Sequence, residues 1–142
     1  MSFGVGSSPD PNRYLVTATA ADANGNLYVV GIFLGTVSFG SSTLTSISSQ
    51  GGDVFVAKWS GLANAFVYAQ RIGQYSATAA AGSAEISAPT VSGTNVYAAG
   101  RFSGTIWFGT GGNTLTSSST QTNTYVARCP ARWPPCGPAP CA

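Results

Sequence analysis

Residues 26–40 read NLYVVGIFLGTVSFG, and residues 95–109 read NVYAAGRFSGTIWFG, the same phrase 69 positions later. The match continues on both sides. Phe3-Gly4 aligns with Ile72-Gly73 at the same offset, Thr43-Leu44-Thr45-Ser46 returns as Thr114-Leu115-Thr116-Ser117 at 71, and Phe55-Val56-Ala57-Lys58 returns as Tyr125-Val126-Ala127-Arg128 at 70. A unit that recurs every 69 to 71 residues is a structural repeat, and such units bury their apolar faces by stacking on neighbours.

The repeat is written in strand language. Only 7% of the 142 residues are charged, against about 25% in an average soluble domain, while Gly, Ser, Thr and aromatics are plentiful. Helices draw on Glu, Lys, Arg, Leu and Gln, so this balance predicts an all-β chain. Period-2 alternation marks first strands over Leu15–Ala21 and Ile86–Val91. These end in the turn signals DANGN and VSGTN, where Gly25 and Gly93 can supply a positive φ. In the opening phrase Tyr28, Val30 and Ile32 share one face and Leu27, Val29 and Phe33 the other, which predicts an interior strand covered on both sides. Gly35-Thr36 and Gly104-Thr105 turn the chain into Val37–Phe39 and Ile106–Phe108, followed by a Ser/Thr/Gly loop whose length slips between copies. Asp53–Trp59 and Thr124–Arg128 read as third strands and Ala65–Ile72 as a fourth.

Four antiparallel strands per repeat is the make-up of a β-propeller blade. The expectation is therefore a partial propeller of about two blades, over residues 1–62, entered partway through a repeat, and 63–128. Residues 129–142 form an irregular Pro/Cys-rich tail. Propellers close with about 4 to 8 blades, so two repeats imply either a fragment of a longer protein or self-association into a ring. The fragment is the favoured expectation.

The strings DANGNLYVVGIF, GTVSFG, DVFVAKW and FVYAQRIG resemble the SBBP (seven-bladed β-propeller) repeats of bacterial proteins. That family runs through an aspartate-turn-glycine-asparagine, an aromatic strand ending in glycine, an aspartate with FVAK, and a WAK-IGG strand. The resemblance spans residues 3–128. The chain departs from it where Asp22 becomes Val91, where Asp53 becomes Asn123 or Thr124, and where Tyr68 stands in place of tryptophan. The resemblance implies a non-enzymatic scaffold, or a protein- or glycan-binding surface, in a larger secreted or cell-surface protein. The alternatives are a fragment of a lyase- or glycosidase-type propeller enzyme with its catalytic residues on other blades, and a self-assembling β protein. Expected partners are neighbouring blades of a longer chain or other copies of this one.

The residues name no catalytic, cofactor or metal site. The chain has no histidine, which removes Ser-His-Asp and Cys-His catalysis and His-ligated metals. Cys129, Cys136 and Cys141 lie in the tail at spacings of seven and five, with no CxxC pair, so zinc is not expected and pairing would leave one thiol over. The abrupt change of composition there suggests a disordered tail or an out-of-frame reading of GC-rich DNA. Asp22-Ala-Asn24-Gly-Asn26 superficially matches a calcium loop, but Leu27 and Phe33 occupy the places that require glycine and glutamate, so a β-turn is expected. Glu85 has no second carboxylate placed to work with it.

Tyr28 with Tyr97, Phe33 with Phe102, and Phe39 with Phe108 recur in register and are expected to pack between blades. The positions that differ, Ile32 against Arg101 and Ser38 against Trp107, offer Arg101 and Trp107 as a weak candidate ligand pair. Lys58 and Arg128 read as solvated strand ends. The net charge of +2 is spread without a basic run, which disfavours nucleic-acid binding. No stretch approaches the roughly 20 apolar residues of a membrane helix, and MSFGVGSSPDPNR has no secretory h-region.

Overall fold

The computed structural model describes residues 13–47, 52–74, 83–92, 95–108, 114–117, 122–130 and 137–138. These residues hold strands and turns and no helix. In chain order the strands are β1 (Arg13–Ala21), β2 (Leu27–Leu34), β3 (Thr36–Phe39), β4 (Ser42–Thr45), β5 (Asp53–Ser60), β6 (Ala65–Gln74), β7 (Ser83–Ser92), β8 (Asn95–Ser103), β9 (Thr105–Trp107), β10 (Thr114–Thr116), β11 (Asn123–Pro130) and β12 (Gly137–Pro138).

The first unit is an antiparallel meander β1-β2-β5-β6, with the hairpin β3-β4 inserted between its second and third strands. The second unit repeats the plan as β7-β8-β11, with β9-β10 as its hairpin and the two-residue β12 on the outer side of β11. The correspondence holds residue by residue. Gly31 faces Phe55 across β2 and β5, and Gly100 faces Tyr125 across β8 and β11. The bulge between Val16 and Ala18 in β1 recurs between Ile86 and Pro89 in β7, and a bulge is a place where a strand tolerates a proline without N–H.

Gly31 is required by this geometry, because a Cβ there would lie 2.1 Å from the Leu15 carbonyl oxygen and 2.7 Å from the Phe55 ring. The β1–β2 turn forms as the DANGN signal predicts, with Gly25 at φ +75°; Gly93 lies outside the described residues.

The Ser/Thr-rich segment after β3, expected as a loop, pairs instead as β4, and its counterpart as β10. The terminal serine explains why TLTS is repeated. Ser46 accepts the Gly35 N–H on Oγ at 2.9 Å while its own N–H reaches the Gly35 carbonyl at 2.8 Å. Ser117 and Gly104 make the same two bonds, each at 2.9 Å. The hairpin is thus clasped at its base, and the second copy carries two more residues in sequence between its hairpin strands.

Two apolar clusters hold the fold. One lies within the first unit, where Val29, Phe33, Phe55, Ala57 and Ala69 are covered by Val37 and Phe39 of the unit's own hairpin. The other joins the units: Tyr28, Val30, Val54, Val56 and Ile72 pack against Val96, Ala98, Phe102, Ile106, Phe108, Tyr125 and Ala127. With both faces of β2 buried, the strand is interior as its pattern predicts.

The joint is head-to-tail. Under the repeat, Val30 corresponds to Ala99 and Val56 to Val126, yet the first unit is met by the opposite face of the second, the one carrying Ala98 and Ala127. A packing that joins one face to a different face can be propagated from unit to unit. The joint also carries backbone pairing, for Gly73 and Gln74 at the end of β6 bond to Trp107 and Ile106 of β9. Strand β6 thereby belongs to the ladders of both units.

Candidate functional site

The polar centre of the molecule lies at this joint. Asp53 opens β5 with only 1% of its surface exposed, and its Oδ2 accepts from Arg71 Nη1 at 2.9 Å and from the Ile47 N–H at 2.8 Å. Gly73 leaves the room, since a Cβ there would sit 2.2 Å from Asp53 Oδ1. The Arg71 guanidinium lies over the Trp107 ring at 5.2 Å, and the Gln70 side chain donates to the Phe108 carbonyl. Strand β6 therefore presents two consecutive polar side chains to the second unit. Closed from solvent and accepting two hydrogen bonds on Oδ2, the Asp53 carboxylate acts as a joint between strands.

The candidate pair Arg101 and Trp107 is divided between two settings. Arg101 is exposed on β8, whereas Trp107 is half-buried beneath Arg71. Sequence reasoning missed the Asp53–Arg71 bridge. The available signal was an arginine in mid-strand, between Gln70 and Ile72, in a chain with few charges.

The Asp22 turn is built from the inside. Asp22 Oδ1 accepts the N–H groups of Asn24 at 2.9 Å and Asn26 at 3.0 Å, while Oδ2 accepts from Asn26 Nδ2 at 2.8 Å and the Tyr28 hydroxyl at 3.1 Å. Donors aimed at both oxygens suit an anion and leave no lone-pair cage for a cation, so this is the expected Asx-type turn. Partial desolvation acts to raise the Asp22 pKa, but these hydrogen bonds outweigh it and hold the carboxyl below its ordinary range. Tyr28 is pushed well up, first by burial and then by its hydrogen bond to Asp22. Burial also raises Tyr125, and it pushes Tyr68 up to about 12.

The recurring aromatics form matched trios. Phe33 meets Phe55 edge-on at 6.2 Å, and Phe102 meets Tyr125 edge-on at 6.2 Å; Phe39 and Phe108 complete the sets at 4.9 and 5.5 Å. The first trio lies within its unit and the second faces the joint. Tyr97, Lys58 and Trp59 are half-buried, with Lys58 Nζ over the Tyr28 ring at 5.5 Å, and Arg128 is exposed. Glu85 stands opposite Arg101 in the β7–β8 register. Cys129 falls in β11, and Cys136 and Cys141 lie outside the described residues.

One face stands open. The positions equivalent to buried Val30, Val54 and Val56 and half-buried Ile32 are Ala99, Thr124, Val126 and Arg101, all exposed, Val126 by 52% where Val56 has 0%. Among the described residues no group of three or more His, Cys, Asp or Glu is placed to hold a metal, and no helix is long and apolar enough to cross a membrane.

These features define an all-β protein of two antiparallel repeats stacked face to face. Compared with protein-family profiles, curated proteins and solved structures, the chain finds no match in any of the three.

Proposed function

We propose that the chain is a non-enzymatic module of β-propeller type, akin to the SBBP repeats, serving as a scaffold or as a protein- or glycan-binding surface within a larger secreted or cell-surface protein. The observation that carries this reading is the head-to-tail joint: one face of a unit is buried by the opposite face of the next, and the corresponding face of the second unit stands open. Blades around a propeller axis stack in that way. In keeping with it, β7 of the second unit lies against the first unit's strands, and among these it meets β1, its counterpart, most. The two carboxylates whose surroundings are described, Asp22 and Asp53, are both committed to holding the fold.

The test is to offer the purified chain to arrayed glycans and extracellular protein domains, and in parallel to chromogenic glycosides and uronate polymers. Saturable binding without chemical change is expected. Turnover that co-purifies with the chain and is lost in Glu85→Gln overturns the reading in favour of an enzyme.

A further inference from the structure

Asn24 is the only asparagine of the chain that precedes a glycine. That pairing has a chemistry of its own. The backbone nitrogen of the following residue can attack the asparagine side-chain carbonyl carbon and close a five-membered ring, and a glycine there has no Cβ to hinder the approach. The first unit sets this pair where water and leaving group can pass. Asn24 and Gly25 are both exposed in the β1–β2 turn, and nothing lies within 4 Å of a Cβ position on Gly25.

The same turn restrains the reaction. The Gly25 N–H donates to the Asp22 carbonyl at 3.2 Å, so the attacking nitrogen is engaged. Around it the Asp22 carboxylate gathers the Asn24 N–H, the Asn26 N–H and side-chain amide, and the Tyr28 hydroxyl. This network takes the backbone of Asn24 and does not use its side chain. The Gly25 carbonyl oxygen is set in turn against Gly61 of the β5–β6 connection, 2.4 Å from where a Cβ on Gly61 would stand. With the turn fixed on both sides, it has to open locally before the ring can close.

We propose that Asn24 is a deamidation site, at which the Gly25 nitrogen displaces ammonia from the side-chain amide, and that the Asp22 network sets the rate. The Gly25 N–H loses its proton to a solvent base, the bond from the Gly25 nitrogen to Asn24 Cγ forms, and the Cγ–Nδ2 bond breaks as ammonia leaves with a proton. Water then opens the ring at either carbonyl, giving aspartate or isoaspartate. One water is consumed and one ammonia released, with no change of oxidation state.

Either product places a new negative charge two residues from Asp22. Isoaspartate also lengthens the main chain by one carbon before Gly25, whose carbonyl has no room to move toward Gly61, so the bonds to Asp22 give way. The second unit is spared. Its turn, Val91-Ser92-Gly93-Thr94-Asn95, has no asparagine before its glycine and carries valine at the place of Asp22. The modification therefore marks one of the two units.

The experiment incubates the full chain in mildly alkaline buffer, folded and in urea, and follows its peptides by mass spectrometry. The mass gain of an amide-to-acid conversion is expected in the peptide that holds Asn24, as two products of equal mass separated by chromatography. It should be absent in Asn24→Gln, whose longer side chain would have to close a six-membered ring. Urea should speed the conversion by about tenfold or more. Asp22→Ala should speed it by about tenfold in buffer, since a hydrogen bond to a charged group is worth about that factor in the opening equilibrium. Tyr28→Phe removes one hydroxyl from the network and should give about threefold; circular dichroism checks that each variant is folded, and Tyr28→Phe decides alone if Asp22→Ala is not.

The absence of conversion at Asn24 in the folded chain, over a time in which the chain in urea converts, overturns the proposal. A single aspartate product does the same, since direct hydrolysis of the amide would then bypass the ring. So do equal rates for the folded chain, Tyr28→Phe and the chain in urea, because the Asp22 network would then have no hold on the reaction.

Discussion

Arg71 Nη1 lies 2.9 Å from Asp53 Oδ2, in a pair of side chains 9% and 1% exposed. The same guanidinium covers Trp107 of the second unit, so one arginine links the register of β5 and β6 to the seating of the neighbouring repeat. Removing one partner leaves the other charge buried. Asp53→Ala should cost about 3–5 kcal/mol in urea unfolding. The double variant Asp53→Ala/Arg71→Met should be less destabilised than the sum of the singles, because it removes the orphaned charge. Strict additivity would show that the pair is not coupled.

Val56 and Val126 occupy the same place in the repeat, one buried in the joint and one open to solvent. Val56→Asp should abolish cooperative folding, whereas Val126→Asp should shift stability by no more than about 0.5 kcal/mol. Thermal melts of both variants check this, and similar losses would refute the head-to-tail arrangement.

Two glycines should separate strain from crowding. Gly25 has φ +75° with nothing within 4 Å of a would-be Cβ, so Gly25→Ala should cost only the left-handed backbone penalty of about 1–2 kcal/mol, and Gly25→Asn less. Gly31→Ala drives a methyl against the Leu15 carbonyl and the Phe55 ring and should cost about 3 kcal/mol or more. Denaturant midpoints rank the three.

At alkaline pH the buried phenols act as a latch. Tyr28, Tyr68 and Tyr125 have folded pKa values above the ordinary 10.0. Their stabilisation is complete below about pH 10 and is lost as pH rises through the folded values, near 12 for Tyr68. The share of the tyrosinate absorbance that belongs to these three should therefore rise with loss of β-structure, and variants that replace them one at a time by Phe identify it.

Asp22 works in the other direction. Its depressed pKa gives stability that is present above the ordinary carboxylate value of 3.8 and is lost as pH falls through the lower folded value. In Asp22→Ala the acid limb of the stability profile should flatten, an effect read by circular dichroism from pH 2 to 6.

Much of this architecture was legible because strands alternate and repeats align. The both-sided pattern of Leu27–Leu34 announced an interior strand, and the 69-residue echo announced the second unit. Three things were hidden. Ser42–Thr45 carries little apolar patterning, so its strand is revealed only by pairing and by the Ser46 clasp. Nothing local tells which face of one unit meets which face of the next, because both faces of β2 are equally apolar. The Asp53–Arg71 bridge also escaped, because it depends on two strands being neighbours in space, and a pattern along one strand says nothing about its neighbour.

The clasp that Ser46 makes with Gly35, and Ser117 with Gly104, separates what the hairpin must keep from what it may vary. Next to it the paired threonines hold the same register in both copies, and beyond them the sequence of the second copy is longer by two residues, as the change of offset from 69 to 71 records. The tip is therefore a natural grafting point: a foreign peptide inserted after Gly40 should leave the Gly35–Ser46 clasp and the threonine pairs of the stem in place.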